Sequence, residues 1–110
     1  MLTIEKLRGW GANVDEALER CLNNEAFYLR LVDHALQDPN FEKLKDAIVS
    51  GDLERGFEAA HALKGVLANL ALTPILVPMQ EITELLRSRT QTDYTPFLTR
   101  IDDQKALLLS

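Results

Sequence analysis

Helical spacing, broken at regular intervals by helix-starting and helix-stopping residues, runs along almost the whole chain and leaves no stretch for a sheet. Apolar residues recur every three or four positions, which puts them on one face of an α-helix, and strand-like alternation is absent. Asn13, followed by Asp15 and Glu16, reads as a capped start with acid at the positive end of the helix dipole. Asn23 and Asn24 offer a second start, after which Phe27, Leu31 and Ala35 form a face. Asp38-Pro39 reads as an N-cap followed by proline at the first helical position. Phe41, Leu44 and Ile48 share the face of that helix, and Ser50-Gly51-Asp52 closes it and caps the next.

The longest uninterrupted pattern runs from Asp52 to about Ala71, with Leu53, Phe57, Ala60, Leu63, Leu67 and Leu70 as its apolar stripe. Thr73-Pro74 repeats the cap-then-proline start, and Ile75, Met79, Ile82 and Leu86 line the helix that follows. Pro78 removes a backbone hydrogen bond there, so that helix either begins at Pro78 or kinks in its first turn. Gln91 to Tyr94 is a polar connection, and Thr95-Pro96 opens a last helix with Phe97, Ile101 and Leu108 inward. Short connections make successive helices antiparallel neighbours. The expected fold is all-α: an up-down-up-down antiparallel four-helix bundle over residues 39–109, with additional short helices over residues 3–36 covering one end or side.

Bulk properties narrow the function. A chain of 110 residues suits one domain, here residues 1–110, and 46% hydrophobic with 26% charged residues is a globular balance. A net charge of −5 with no basic run argues against nucleic-acid binding, which needs concentrated Lys and Arg to replace phosphate counterions. Cys21 is alone, so there is neither a disulfide framework nor a cysteine metal site, which suits a reducing cytoplasm. Met1 to Trp10 is not a signal peptide, and the most apolar stretch, Val66 to Val77, is interrupted and shorter than the ~20 residues of a membrane span. The expectation is a cytoplasmic protein that neither enters the membrane nor binds nucleic acid.

The chemistry concentrates at Ala60-His61-Ala62-Leu63-Lys64-Gly65, in the middle of the longest helix. A glycine inside a helix costs about 1 kcal/mol relative to alanine and is kept where something approaches the backbone. Gly65 and Lys64 lie one turn beyond His61, and Ala68 continues the small strip. At ~100° per residue, His61 points about 120° away from the apolar stripe, onto the flank of the helix. Neutral imidazole is a good nucleophile near pH 7 and can take a phosphoryl group on its outer nitrogen. A neighbouring cation offsets charge on the transferred oxygens, and a smooth strip lets a partner close over the ring. A lone histidine on a helix flank is ordinarily a surface residue and no more; His34, without Lys-Gly after it, is given no role.

His61-Ala62-Leu63-Lys64-Gly65, with Val66-Leu67-Ala68-Asn69-Leu70 after it, resembles the signature of histidine-containing phosphotransfer (HPt) domains. Gly51-Asp52 before the histidine helix and Glu81 to Leu86 after it match the family's surroundings, and the likeness covers about residues 24–90. The resemblance implies that His61 is phosphorylated, Lys64 supports the phosphate and Gly65 gives clearance. Ala71 stands where the family usually has glycine, and a glutamine that often hydrogen-bonds the active histidine aligns with Thr83, with Gln80 one turn earlier. Either is a supporting candidate. The resemblance further implies a phosphorelay intermediate in two-component signalling. It would take a phosphoryl group from an aspartyl phosphate on a response-regulator receiver or hybrid sensor histidine kinase and pass it to another receiver. No cofactor is expected on this chain, Mg²⁺ being expected on the receiver. No phosphate-binding glycine loop is present, so a phosphocarrier without kinase activity of its own is expected, acting as a monomer. Leu2, Ile4 and Leu7 on a short first helix are candidates to extend the docking surface.

Two rivals differ in class. Glu58-Ala59-Ala60-His61 has the Glu-x-x-His spacing of carboxylate-bridged di-iron bundles, but that site needs the motif twice, and Leu31 precedes His34 at the matching place. The other rival is a helical adaptor that binds partners without chemistry; an intact His-x-Leu-Lys-Gly argues against it.

Overall fold

Side-chain caps begin most of the helices. The computed structural model describes residues 2–110, and among these there are seven helices and no strand. Helix α1 (Ile4–Trp10) is capped by Thr3, α2 (Val14–Arg20) by Asn13 and α3 (Glu25–Leu36) by Asn24; each cap side chain accepts a hydrogen bond from a backbone N–H of the first turn. Asp52 does the same for α5 (Leu53–Asn69), accepting from Arg55 N at 3.1 Å. Gly51, in the left-handed region at φ 77°, ends α4 (Asn40–Ser50) as a residue without a Cβ can. Before α4, the Asp38 carboxylate accepts from Asn40 N at 2.8 Å.

Three helix starts differ from the sequence reading. α4 begins at Asn40, one residue later than expected, with Pro39 rather than Asp38 at the cap position. In α6 (Thr73–Arg87) the carbonyl of buried Leu72, rather than Thr73, begins the helix, accepting from Ile75 N and Leu76 N. In α7 (Thr95–Leu109) the Tyr94 carbonyl does so, and Asp93 Oδ1 accepts from Thr95 N at 2.9 Å. Each threonine is thus the first helical residue, with proline second. Pro78 neither starts nor ends α6; it sits inside the helix, buried.

The four helices from α4 onward form the bundle. α5 packs along both α4 and α6, and α6 along α7. α7 closes back toward α4, where Lys45 pairs with Asp102 at 3.0 Å and the Lys105 ammonium lies 3.7 Å from the centroid of the Phe41 ring. Leu44, Leu63, Leu67, Ile75, Met79, Ile82, Leu86, Ile101 and Leu108 fill the interior. Burying such side chains stabilises the fold by roughly 1.5–3 kcal/mol each before conformational entropy is subtracted.

The N-terminal helices cover the end where α5 turns into α6. Asn13 N donates to Ala71 O, the Arg20 guanidinium donates to the Ala68 and Asn69 carbonyls at the end of α5, and Tyr28 Oη donates to Leu70 O at 2.9 Å. α1 lies against α7, with Trp10 Nε1 donating to Gln104 O. Three expectations are corrected here. α3 has 12 residues and is not short. Its inward face is Tyr28, Val32, Ala35 and Leu36, with Phe27 on the outside; the helix turns so that the Tyr28 hydroxyl reaches the Leu70 carbonyl. Leu7 is wholly buried against the core and offers nothing to a docking surface, and Leu2 and Ile4 pack beside it.

Candidate functional site

His61 stands at the centre of α5, with eight helical residues on each side, and its side chain is exposed. Buried Ala60, just before it, and Leu63, two residues after, hold the helix to the core, so the imidazole is carried on a rigid element and points outward. Its ring is not free on all sides. Phe57, one turn earlier, stacks on it with ring centroids 5.5 Å apart and planes 20° from parallel.

The C-terminal side of the histidine is open. Lys64 is half-buried, with no ion pair among the described residues. Gly65 is exposed, and a Cβ placed on it would meet no atom within 4 Å. Ala68 is exposed further along the strip. The clearance around Gly65 is therefore toward solvent; no neighbour inside the protein requires the missing Cβ. Gly56 on the same helix is the opposite case: it is buried, and a Cβ there would lie 3.3 Å from Leu86 Cδ2.

The N-terminal side carries a feature that sequence reading missed. The Phe57 ring, assigned there to the core stripe, is only half-buried, and two guanidiniums lie against it. Arg87 Cζ is 4.9 Å and Arg89 Cζ 6.0 Å from its centroid, within cation–π range. Arg87 also pairs with Glu84 at 3.4 Å. Arg89 Nη1 donates to Leu86 O at 2.9 Å, covering a carbonyl at the end of α6.

Comparison with known families bears on this arrangement. The family model for the Hpt domain matches residues 28–109. The chain belongs to the Hpt domain family. Hpt domains are helical phosphocarrier modules of phosphorelay signalling, so the family and the helical fold expected from the sequence both hold. No curated protein and no solved structure is a significant match to the chain. The match covers the bundle and most of α3 and leaves α1 and α2 outside.

Within this Hpt domain the two supporting candidates on α6 part ways. Thr83 is completely buried, and its hydroxyl donates to Met79 O at 2.6 Å within its own helix. A hydroxyl committed to the backbone one turn back leaves no proton for the imidazole. Gln80 is exposed, seven residues before Arg87 on one strip of α6. Neither residue hydrogen-bonds His61 in this structure, and no described side chain does. Glu58 and His61 gain no third ligand: no group of three or more His, Cys, Asp or Glu positioned to hold a metal occurs among the described residues. No helix of the described residues is long and apolar enough to cross a membrane.

Proposed function

We propose that this Hpt domain accepts a phosphoryl group on the outer nitrogen, Nε2, of His61 from an aspartyl phosphate of one receiver domain and donates it to an aspartate of another. The lone pair of Nε2 attacks phosphorus in line, the P–O bond to aspartate breaks, and the carboxylate leaves with the electron pair. Nδ1 keeps its proton, and the ring's positive charge is offset by the phosphoryl oxygens. The reverse sequence returns the group to a carboxylate, so the relay runs either way according to which receiver is loaded. Lys64, one turn along and without a competing carboxylate, is placed to offset the charge on the equatorial oxygens. Gly65 and Ala68 leave room for a receiver to close over the ring and exclude water. The divalent cation this chemistry uses belongs to the receiver's acidic pocket. One bundle with one such histidine suffices, so a monomer is the working unit, loaded by a response-regulator receiver or by that of a hybrid sensor kinase.

The observation that carries this reading is the exposed imidazole at mid-helix beside open space at Gly65. Transfer of labelled phosphate from a phosphorylated receiver tests it. Wild type is expected to become labelled and His61→Gln to remain unlabelled. Equal behaviour of the two would leave a non-catalytic adaptor as the reading.

A further inference from the structure

The surroundings of His61 are polarised along α5. On the C-terminal side lies a smooth strip of small residues, and on the N-terminal side lies the Phe57 ring with two arginines against it. From this we infer that Arg87 and Arg89, held on Phe57, form a cationic shelf that docks the carboxylate-rich rim of the receiver's phosphorylation pocket and so fixes which way round the receiver sits on His61. The inference rests on the proposed phosphotransfer at His61 and adds to it the residues that select and orient the partner.

Three observations converge on it. The first is geometric: one aromatic ring stacks on the imidazole and carries both guanidiniums within 6.0 Å of its centroid, so the cations cannot be far from any protein that reaches the histidine. The second is position. Arg89 follows the C-terminal cap of α6, where Arg89 N donates to Leu86 O and Thr90 N to Leu85 O, and it adopts φ 53°. Leu22, Asn23 and Ala71 share that left-handed conformation, so what sets Arg89 apart is where the turn sends its side chain: the guanidinium lies 6.0 Å from the centroid of the Phe57 ring that stacks on His61.

The third is charge. The chain carries a net −5, and a receiver pocket that holds a divalent cation through carboxylates is also acidic, so the two proteins repel at long range. A local cationic patch at the contact reverses the sign where docking takes place and steers the encounter. Of the acids on this side of His61, Glu84 is already paired with Arg87, Glu54 is two turns away, and Glu58, one turn away, lines the groove between α4 and α5 with Asn40, Lys43 and Arg55. Arg89 makes no ion pair among the described residues, and its one hydrogen bond leaves most of its donors for a partner.

The test compares two phosphoryl donors on wild type, Arg87→Gln, Arg89→Gly and the double variant. One donor is a receiver domain that labels the wild type. The other is phosphoramidate, a small molecule that gives its phosphoryl group to imidazole nitrogen with release of ammonia and docks no protein surface. The double variant is expected to need at least five-fold more receiver for half-maximal labelling, with a shallower dependence on salt. Its loss with the receiver should exceed its loss with phosphoramidate by a similar factor. Arg89→Gly should unfold at no lower temperature than wild type, since glycine relieves the left-handed backbone. An unchanged receiver concentration and salt dependence overturns the shelf. So does an equal loss with both donors, which would place the arginines on the transferring phosphoryl group instead of the partner. If wild type takes label on His61 from neither donor, the phosphotransfer reading itself fails, an outcome distinct from both.

Discussion

The rings of Phe57 and His61 stack one turn apart on the outside of α5, 5.5 Å between centroids and 20° from parallel. An exposed imidazole on a helix otherwise samples several staggered rotamers. A neighbouring aromatic face narrows that choice, so Phe57 would act as a positioning residue for the proposed nucleophile. Phe57→Ala is expected to slow labelling of His61 several-fold with either donor and to lower stability by about 2 kcal/mol, less than for a fully buried phenylalanine. Phe57→Tyr, which keeps the ring, should restore the rate. Phosphorylation kinetics alongside thermal unfolding check both, and an unaltered rate in the alanine variant would remove the positioning role.

Lys64 is half-buried and has no carboxylate to satisfy. Lys64→Ala is therefore expected to change stability by less than about 0.5 kcal/mol, because a cation at the surface without an ion pair contributes little to folding. Its effect should fall on chemistry: slower labelling of His61, a shorter phosphohistidine lifetime, or both. Quenched-flow transfer and the decay of isolated phosphoprotein measure the two separately. Lys64→Arg, which keeps the charge, should recover most of the loss.

Caps and stripes were legible in the sequence because they are decided within four residues. Asn13, Asn24 and Asp52 cap as expected, and Ile75, Met79, Ile82 and Leu86 are all buried. The reading of α3 failed because a distant partner decided the outcome. The face of α3 rotates by one residue because Tyr28 reaches the Leu70 carbonyl, 42 positions away. The starts of α6 and α7 shift by one residue, with the carbonyls of Leu72 and Tyr94, both buried, taking the first helical bonds. At the site, the His61, Lys64 and Gly65 strip was readable from helical geometry alone. Arg87 and Arg89 were not, because they meet Phe57 only when α6 folds back along α5. Nothing local marks either arginine, apart from the absence of glycine where α6 ends.

Tyr28 ties α3 to the end of the histidine helix and has an alkaline signature. Burial pushes its hydroxyl up to about 12 from an ordinary value near 10. The folded state therefore holds this proton more tightly than the unfolded chain does. Its contribution to stability is complete below about pH 10 and is lost as pH rises through about 12. Denaturant titrations across that window should show a steeper fall for wild type than for Tyr28→Phe. At neutral pH the variant, lacking the bond to Leu70 O, should be less stable by about 1 kcal/mol. Equal alkaline slopes for the two proteins would mean that the hydroxyl is already exposed in the native ensemble.

Gly56 and Gly65 lie nine residues apart in one helix and face opposite surroundings, a contrast that substitution separates. At Gly65 the space is solvent, so Gly65→Ala should gain roughly the full helix-propensity difference, about 1 kcal/mol. Gly65→Leu should fold equally well while losing labelling by a receiver to a much greater degree than labelling by phosphoramidate, because only a protein needs that surface. At Gly56 the added Cβ comes 3.3 Å from Leu86 Cδ2 and 3.6 Å from Ile48 Cδ1, so α5 and α6 must give way before propensity can act. Gly56→Ala is expected to change stability by no more than about 0.5 kcal/mol in either direction, and Gly56→Leu to destabilise by about 2 kcal/mol or more through overpacking. Thermal unfolding of the four variants, with receiver labelling of each, tests the contrast. A Gly65→Leu protein that accepts phosphate from a receiver at the wild-type rate would show that partners approach His61 from the Phe57 side alone.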